Sequence, residues 1–304
     1  MKDFSKFGRI LLPMITPFKK SDQSVDYKTA RKVARYLVEN KLCNSLIIAG
    51  TTGEFYVLSF EERIKLFEQI KDEIGDEIPL IAGTGAVYVG EVIEYTKVAE
   101  KLGYDAVMVV APYYCKAEQE GIYEHFKQIA QGTSLPVMVY NIPLFTGVNI
   151  EPQTLARLSE IQNIFAIKDE AGINPLQTTE YIRATSGKLP VYSGDDTMVL
   201  QVLLQGGVGV VSGGSHIVGD LMRDMIDSFL ENKINVAKEL YQKLFKVFAA
   251  FRGLKNRINP TPMIKAAFEL ITGLPTSMPR MPLIPATSDE VKFIREVLKE
   301  IGKI

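Results

Sequence analysis

The 304-residue sequence has no tryptophan, two cysteines and two histidines. Cys43 and Cys115 form no CxxC pair, and two thiols make no disulfide framework. His125 and His216 alone leave too little for a histidine metal site or a Ser-His-Asp triad. No apolar run approaches the ~20 residues that a membrane helix needs. The N-terminus, Met1-Lys2-Asp3-Phe4-Ser5-Lys6, leads into no apolar stretch of signal-peptide length. Charge of one sign is also lacking: 35 basic against 36 acidic residues leave a formal charge of -1. A near-neutral balance disfavours nucleic acid as the main partner. The expectation is a cytoplasmic protein with no nucleic-acid or membrane partner, whose chemistry comes from other residue types.

What is present is a regular alternation. Eight β-rich runs are expected at Arg9–Ile15, Ser45–Ala49, Pro79–Ala82, Ala106–Ala111, Pro136–Tyr140, Ile164–Lys168, Pro190–Tyr192 and Val208–Val211. Helical patterns lie between them. The clearest opens on Ser59 and Glu62, a Ser-x-x-Glu capping box. It then keeps Phe60, Ile64, Phe67, Ile70 and Ile74 on one face. Strands alternating with helices imply βαβ units and a parallel sheet. Eight repeats without a long break fit a closed α/β fold, a (β/α)₈ TIM barrel, over residues 1–232. Residues 233–304 read as a C-terminal extension of three helices, at Asn235–Phe251, Thr261–Thr272 and Ser288–Ile301.

In such barrels the chemistry sits at the C-terminal ends of the strands. The sixth strand, Ile164-Phe165-Ala166-Ile167-Lys168, ends an apolar run on a lysine. Apolar walls lower an amine's pKa and make it a Schiff-base nucleophile; a strand-end lysine reaching solvent is the plainer alternative. The fifth strand ends on Tyr140, whose phenol either relays protons beside that amine or simply packs. After the second strand, Gly50-Thr51-Thr52-Gly53-Glu54 has the makings of a small anion nest suited to a carboxylate. Gly83-Thr84-Gly85 lacks the third glycine of a dinucleotide fingerprint. Gly206-Gly207 and Gly213-Gly214 fit close packing better than a phosphate site. Tyr113 and Tyr114 follow the fourth strand, and Cys115 beside them has no activating partner.

With these residues in place, the sequence resembles the pyruvate-dependent class I aldolases of the dihydrodipicolinate synthase / N-acetylneuraminate lyase superfamily. The resemblance runs through Pro13-Met14-Ile15-Thr16-Pro17-Phe18, Ala111-Pro112-Tyr113-Tyr114, Tyr140-Asn141-Ile142-Pro143, Ile167-Lys168-Asp169, Ser193-Gly194-Asp195-Asp196 and Asn259-Pro260-Thr261-Pro262. It implies that Lys168 forms an imine with pyruvate, and that Tyr140, Thr51 and Tyr114 relay protons, Tyr114 from a neighbouring subunit. It also implies that the N–H groups of Thr51 and Thr52, beside Gly53, hold the pyruvate carboxylate, and that Val211 lines the pocket. A homotetramer, and neither metal nor cofactor, complete what it implies.

The second substrate is read from departures. Where synthases of this superfamily usually carry an arginine, this chain has Phe145, which cannot pair with a carboxylate. Where sialic-acid lyases usually carry a threonine two residues after the lysine, it has Glu170. Gly194-Asp195-Asp196 is followed by Thr197, not by a glutamate. These departures resemble 2-keto-3-deoxygluconate aldolases. The expectation is therefore reversible cleavage of 2-keto-3-deoxygluconate to pyruvate and glyceraldehyde in carbohydrate metabolism, with Glu170, Asp196, Gly194 and Phe145 around the substrate. The alternatives are a dihydrodipicolinate synthase condensing pyruvate with aspartate semialdehyde, a non-catalytic keto-acid-binding relative, and a phosphate-binding barrel.

Overall fold

A computed structural model describes residues 1–170 and 172–304. Its eight strands are β1 (Ile10–Pro13), β2 (Ser45–Ile48), β3 (Leu80–Gly83), β4 (Ala106–Val110), β5 (Val137–Asn141), β6 (Ile164–Asp169), β7 (Val191–Ser193) and β8 (Gly209–Val211). They close in sequence order into a barrel, and the paired strands run parallel. The expected (β/α)₈ TIM barrel is thus the fold. Pro79, Pro136 and Pro190 fall just outside β3, β5 and β7. The carbonyls of Pro136 and Pro190 still accept from Val107 and Ile167.

The intervening helices are α1 (Tyr27–Glu39), α2 (Phe60–Ile74), α3 (Val89–Lys101), α4 (Gln119–Gln131), α5 (Pro143–Thr146), α6 (Pro152–Ser159), α7 (Gln177–Ala184), α8 (Val199–Leu204) and α9 (Ser215–Leu230). The capping box of α2 is formed: Ser59 N–H donates to Glu62 at 3.0 Å, and Glu62 N–H donates to the Ser59 hydroxyl at 3.2 Å. The three C-terminal helices follow as α10 (Ile234–Ala250), α11 (Thr261–Thr272) and α12 (Ser288–Glu300). Among the described residues, no helix is long and apolar enough to cross a membrane.

The chain forms two compact units. One joins Met1–Leu11 to Pro79–Val211, and the other joins Leu12–Ile78 to Ser212–Ile304. In the first, Phe7 stacks on Phe165 with ring centroids 4.6 Å apart, and Tyr192 donates to Gly8 O at 2.7 Å. The Lys2 ammonium donates to Ile161 O and Ile164 O, at the entry to β6. In the second, α10 packs along α9, and α12 packs on α10 and α11.

Candidate active site

Lys168 lies on β6, one residue before its end, and is 4% exposed. Its neighbours across the ladder are Tyr140 on β5 and Tyr192 on β7. The Lys168 Nζ sits 3.9 Å from the centroid of the Tyr140 ring. Burial lowers the amine to about 8, against the opposing charges of Glu170 and Asp196. A lysine near its ordinary value keeps roughly one amine in three thousand neutral at pH 7, and at about 8 it keeps roughly one in ten. The same desolvation that penalises the ammonium makes the nucleophile.

Gly194 makes room for this amine. A Cβ there would stand 2.9 Å from Lys168 Cε, 3.1 Å from Asp169 O and 3.1 Å from Glu170 Oε2. Asp169 O is fixed backbone, so a larger residue has to push the Lys168 side chain or the Glu170 carboxyl aside. The turn beyond β7 is fixed by Asp195, which accepts from the Thr197 N–H and hydroxyl, both at 2.7 Å. That turn brings Asp196 close enough to act on Lys168.

A network that sequence reasoning missed holds the two strands in register. Strand alternation points Asp169 away from Lys168, and it is fully buried. Its Oδ1 accepts from Asn141 Nδ2 at 2.9 Å and Gln177 Nε2 at 2.8 Å. Asn141 also reaches Asn149, and Tyr181 donates to Ile150 O. These bonds tie β5, β6 and α7 together behind the pair Tyr140 and Lys168. Burial, opposed by the two amides, raises Asp169 to about 6. Asp169 was visible in sequence only as a neighbour of Lys168; nothing local marks Gln177 or Tyr181 as its partners.

The second unit holds the glycine-threonine turn. Thr16 donates to Gly53 O at 2.7 Å, and Glu54 N–H donates to Thr51 O at 3.0 Å. Among the described residues, the N–H groups of Thr51 and Thr52 find no acceptor. That suits them to an anion. Glu54 follows with φ +56°, fully buried, and forms an ion pair with the equally buried Lys265 of α11. Sequence reasoning saw Glu54 as part of a pattern but did not see Lys265 at all.

The other expected residues fall as follows. Val211 is buried at the end of β8. Tyr114 has φ +71° and is 93% exposed. Phe145 sits on the short helix α5 and is 40% exposed. The two histidines are structural: burial lowers both to about 4. The His216 ring bridges Ile15 N–H and Gly213 O. Among the described residues, no group of three or more His, Cys, Asp or Glu side chains is arranged to hold a metal ion.

Comparison with known proteins extends this geometry. The model of the dihydrodipicolinate synthetase family matches residues 6–301. The chain is 45% identical over 294 residues to the 4-hydroxy-tetrahydrodipicolinate synthase of Desulforudis audaxviator, covering 97% of each. It is 44% identical to the enzyme of the same name from Bacillus velezensis, covering 97% of this chain and 99% of that one. Among solved structures, a dihydrodipicolinate synthase of Bacillus anthracis superposes with a TM-score of 0.90 at 40% identity, covering 98% of this chain and 99% of that one.

These relatives overturn the expectation of a 2-keto-3-deoxygluconate aldolase and its place in carbohydrate metabolism. That expectation leaned on a few departures, chiefly Phe145 and Glu170. Phe145 is a partly exposed side chain on a four-residue helix, a weak constraint beside likeness along nearly the whole chain.

Proposed function

The chain belongs to the dihydrodipicolinate synthetase family, a family of pyruvate-dependent class I aldolase-type lyases, and on that premise we propose that it condenses pyruvate with aspartate semialdehyde. The imine chemistry is supported by Lys168, an amine buried at a barrel strand end against Tyr140, and the choice of second substrate by the likeness to 4-hydroxy-tetrahydrodipicolinate synthases along nearly the whole chain. The neutral amine attacks the pyruvate ketone, and loss of water leaves a protonated imine. That imine is an electron sink, so C3 gives up a proton and an enamine forms. The enamine carbon then attacks the aldehyde. The amino group of the second substrate finally displaces lysine from C2, which closes the ring and frees Lys168. Tyr140 is the proposed proton relay, and the Thr51 and Thr52 N–H groups are the proposed donors to a carboxylate. Glu170, Asp196 and Gly194 are proposed to lie along the substrate, Val211 to line the pocket, and Phe145 to meet the second substrate.

The test is a substrate panel with pyruvate fixed and the aldehyde varied, product being identified by mass. Aspartate semialdehyde is expected to give the highest kcat/KM; a preference for glyceraldehyde overturns the reading. Phe145 offers the semialdehyde's carboxylate no charged partner. A hydrogen bond to a charged group contributes roughly 1.5–3 kcal/mol. Phe145→Arg is therefore expected to lower the KM for the semialdehyde by about tenfold or more, with the KM for pyruvate unchanged.

We also propose that Tyr114 serves the site of a neighbouring copy in a homo-oligomer. Its 93% exposure in the single chain supports this. A solved neighbour is described as the first monomeric dihydrodipicolinate synthase variant, with a TM-score of 0.89 at 35% identity over 99% of each chain, so assembly needs its own measurement. Mixing inactive Tyr114→Phe with inactive Lys168→Ala is expected to restore part of the activity through hybrid assemblies. A fully active monomer in sedimentation counts against it.

A further inference from the structure

Glu170 leaves β6 two residues after Lys168. Its N–H donates to Asn141 O at 3.1 Å, which carries the β5–β6 ladder one step past the strand. Strand alternation then points its side chain to the same side as that of Lys168. The two ends do meet the same place. The position that a Cβ on Gly194 would take lies 2.9 Å from Lys168 Cε and 3.1 Å from Glu170 Oε2. Among the described residues, the Glu170 carboxyl makes no hydrogen bond or ion pair, and neither does the Lys168 amine. The carboxyl therefore faces the amine across a gap instead of neutralising it.

We propose that Glu170 is a second acid–base group for the imine on Lys168: it protonates the departing carbinolamine hydroxyl, then removes the proton from C3. The inference rests on the reading of Lys168 as the imine lysine. The proton balance closes within the site. The amine adds to C2, and a proton passes from nitrogen to oxygen. Glu170 then gives its proton to the C2 hydroxyl, which leaves as water, and the carboxylate remains beside the positive imine. The same carboxylate takes a C3 proton as the enamine forms, and Glu170 is again neutral. No outside acid or base is consumed.

The surroundings suit that cycle. Burial, with Asp195, Asp196 and Asp169 adding negative charge and Lys168 opposing, raises Glu170 to about 8. It thus holds a proton at neutral pH until a positive nitrogen forms beside it. Lys168, also near 8, supplies the free amine in the same range. The charged and aromatic groups that act on the pair are Tyr140 from β5, Asp195 and Asp196 from the turn after β7, and, through the strand, Asp169 from β6. Asp169 is turned to the far side of the strand and held by Asn141 and Gln177. Asp195 is engaged with Thr197.

The experiment uses pyruvate alone, without an aldehyde. It measures borohydride-trapped adduct against time and exchange of the pyruvate methyl protons in deuterium oxide. General acid–base catalysis contributes roughly 10²–10⁴-fold. Glu170→Gln, which keeps the shape, is expected to slow both steps by about 10²-fold or more, and Glu170→Asp to recover part of the rate. The wild-type rate is expected to rise and then fall with pH, since it needs a neutral amine and a protonated carboxyl. Glu170→Gln is expected to remove the alkaline fall. Wild-type rates and pH profile in both variants overturn the proposal. An absent adduct in the wild type overturns the imine reading itself, which keeps the two failures distinct.

Discussion

Lys168→Met, treated with pyruvate and borohydride, is expected to carry no reduced adduct and to turn over roughly 10⁴-fold more slowly or worse, as loss of a nucleophile does elsewhere. The same variant is expected to unfold at a higher temperature than the wild type. Burial lowers Lys168 from 10.5 to about 8, so the unfolded chain binds its proton more tightly than the folded one. The folding penalty is full below about 8 and disappears as pH rises toward 10.5. Methionine keeps the length of the side chain and carries no charge to desolvate. The stability gain in the variant should therefore be largest at neutral and acid pH and fade in alkali. Thermal unfolding at pH 6, 8 and 10 measures it. An active variant, or an adduct on another lysine in the wild type, rules out the imine at this position. A variant less stable at pH 6 rules out the desolvation argument and leaves the imine standing.

That trade of stability for reactivity was partly legible in the sequence. Lysine at the end of Ile164-Phe165-Ala166-Ile167 is out of place in an apolar run, and strand parity sends it to the same side as Ala166. Tyr140 was legible in the same way. The barrel itself followed from alternation of strands and helices, which is a local property. What stayed hidden was non-local. Asp169 meets Gln177 of α7 and, through Asn141 of β5, the loop residue Asn149 and Tyr181 of α7. Glu54 and Lys265 lie 211 positions apart, and nothing near either announces the other. The choice of second substrate failed for a different reason. Phe145 and Glu170 were read as absent contacts to particular ligands, although a single residue does not define the shape of a site. Glu170 carries more information as a charge beside Lys168 than as a departure from a pattern.

Lys265→Met is expected to destabilise the protein by about 3–5 kcal/mol, the usual cost of removing one partner of a buried ion pair. Both side chains are fully shielded from solvent. Lys265 Nζ also donates to Met278 O at 2.9 Å and lies 4.5 Å from the Phe18 ring centroid. Glu54 Oε2 accepts from Arg280 N–H at 2.9 Å. Burial disfavours both charges: it raises Glu54 above the ordinary carboxylate range and lowers Lys265 to about 8, while each partner opposes the other's shift. The pair persists because its remaining hydrogen bonds are met. Without Lys265, the Glu54 carboxyl rises further above its unfolded value. A carboxyl raised in this way favours folding below its unfolded pKa and loses that contribution as pH climbs through the folded one. The damage in Lys265→Met is therefore expected to be small near pH 4–5 and largest at pH 7 to 8. Adding Glu54→Gln is expected to recover much of the loss at neutral pH. Denaturant unfolding of both variants across this range is the measurement. Glu54 also ends the Thr51–Gly53 turn in the left-handed region, a conformation that survives only when its surroundings enforce it. Lys265→Met should accordingly raise the KM for pyruvate as well. A loss of stability that does not change with pH would show that the lysine acts by packing alone.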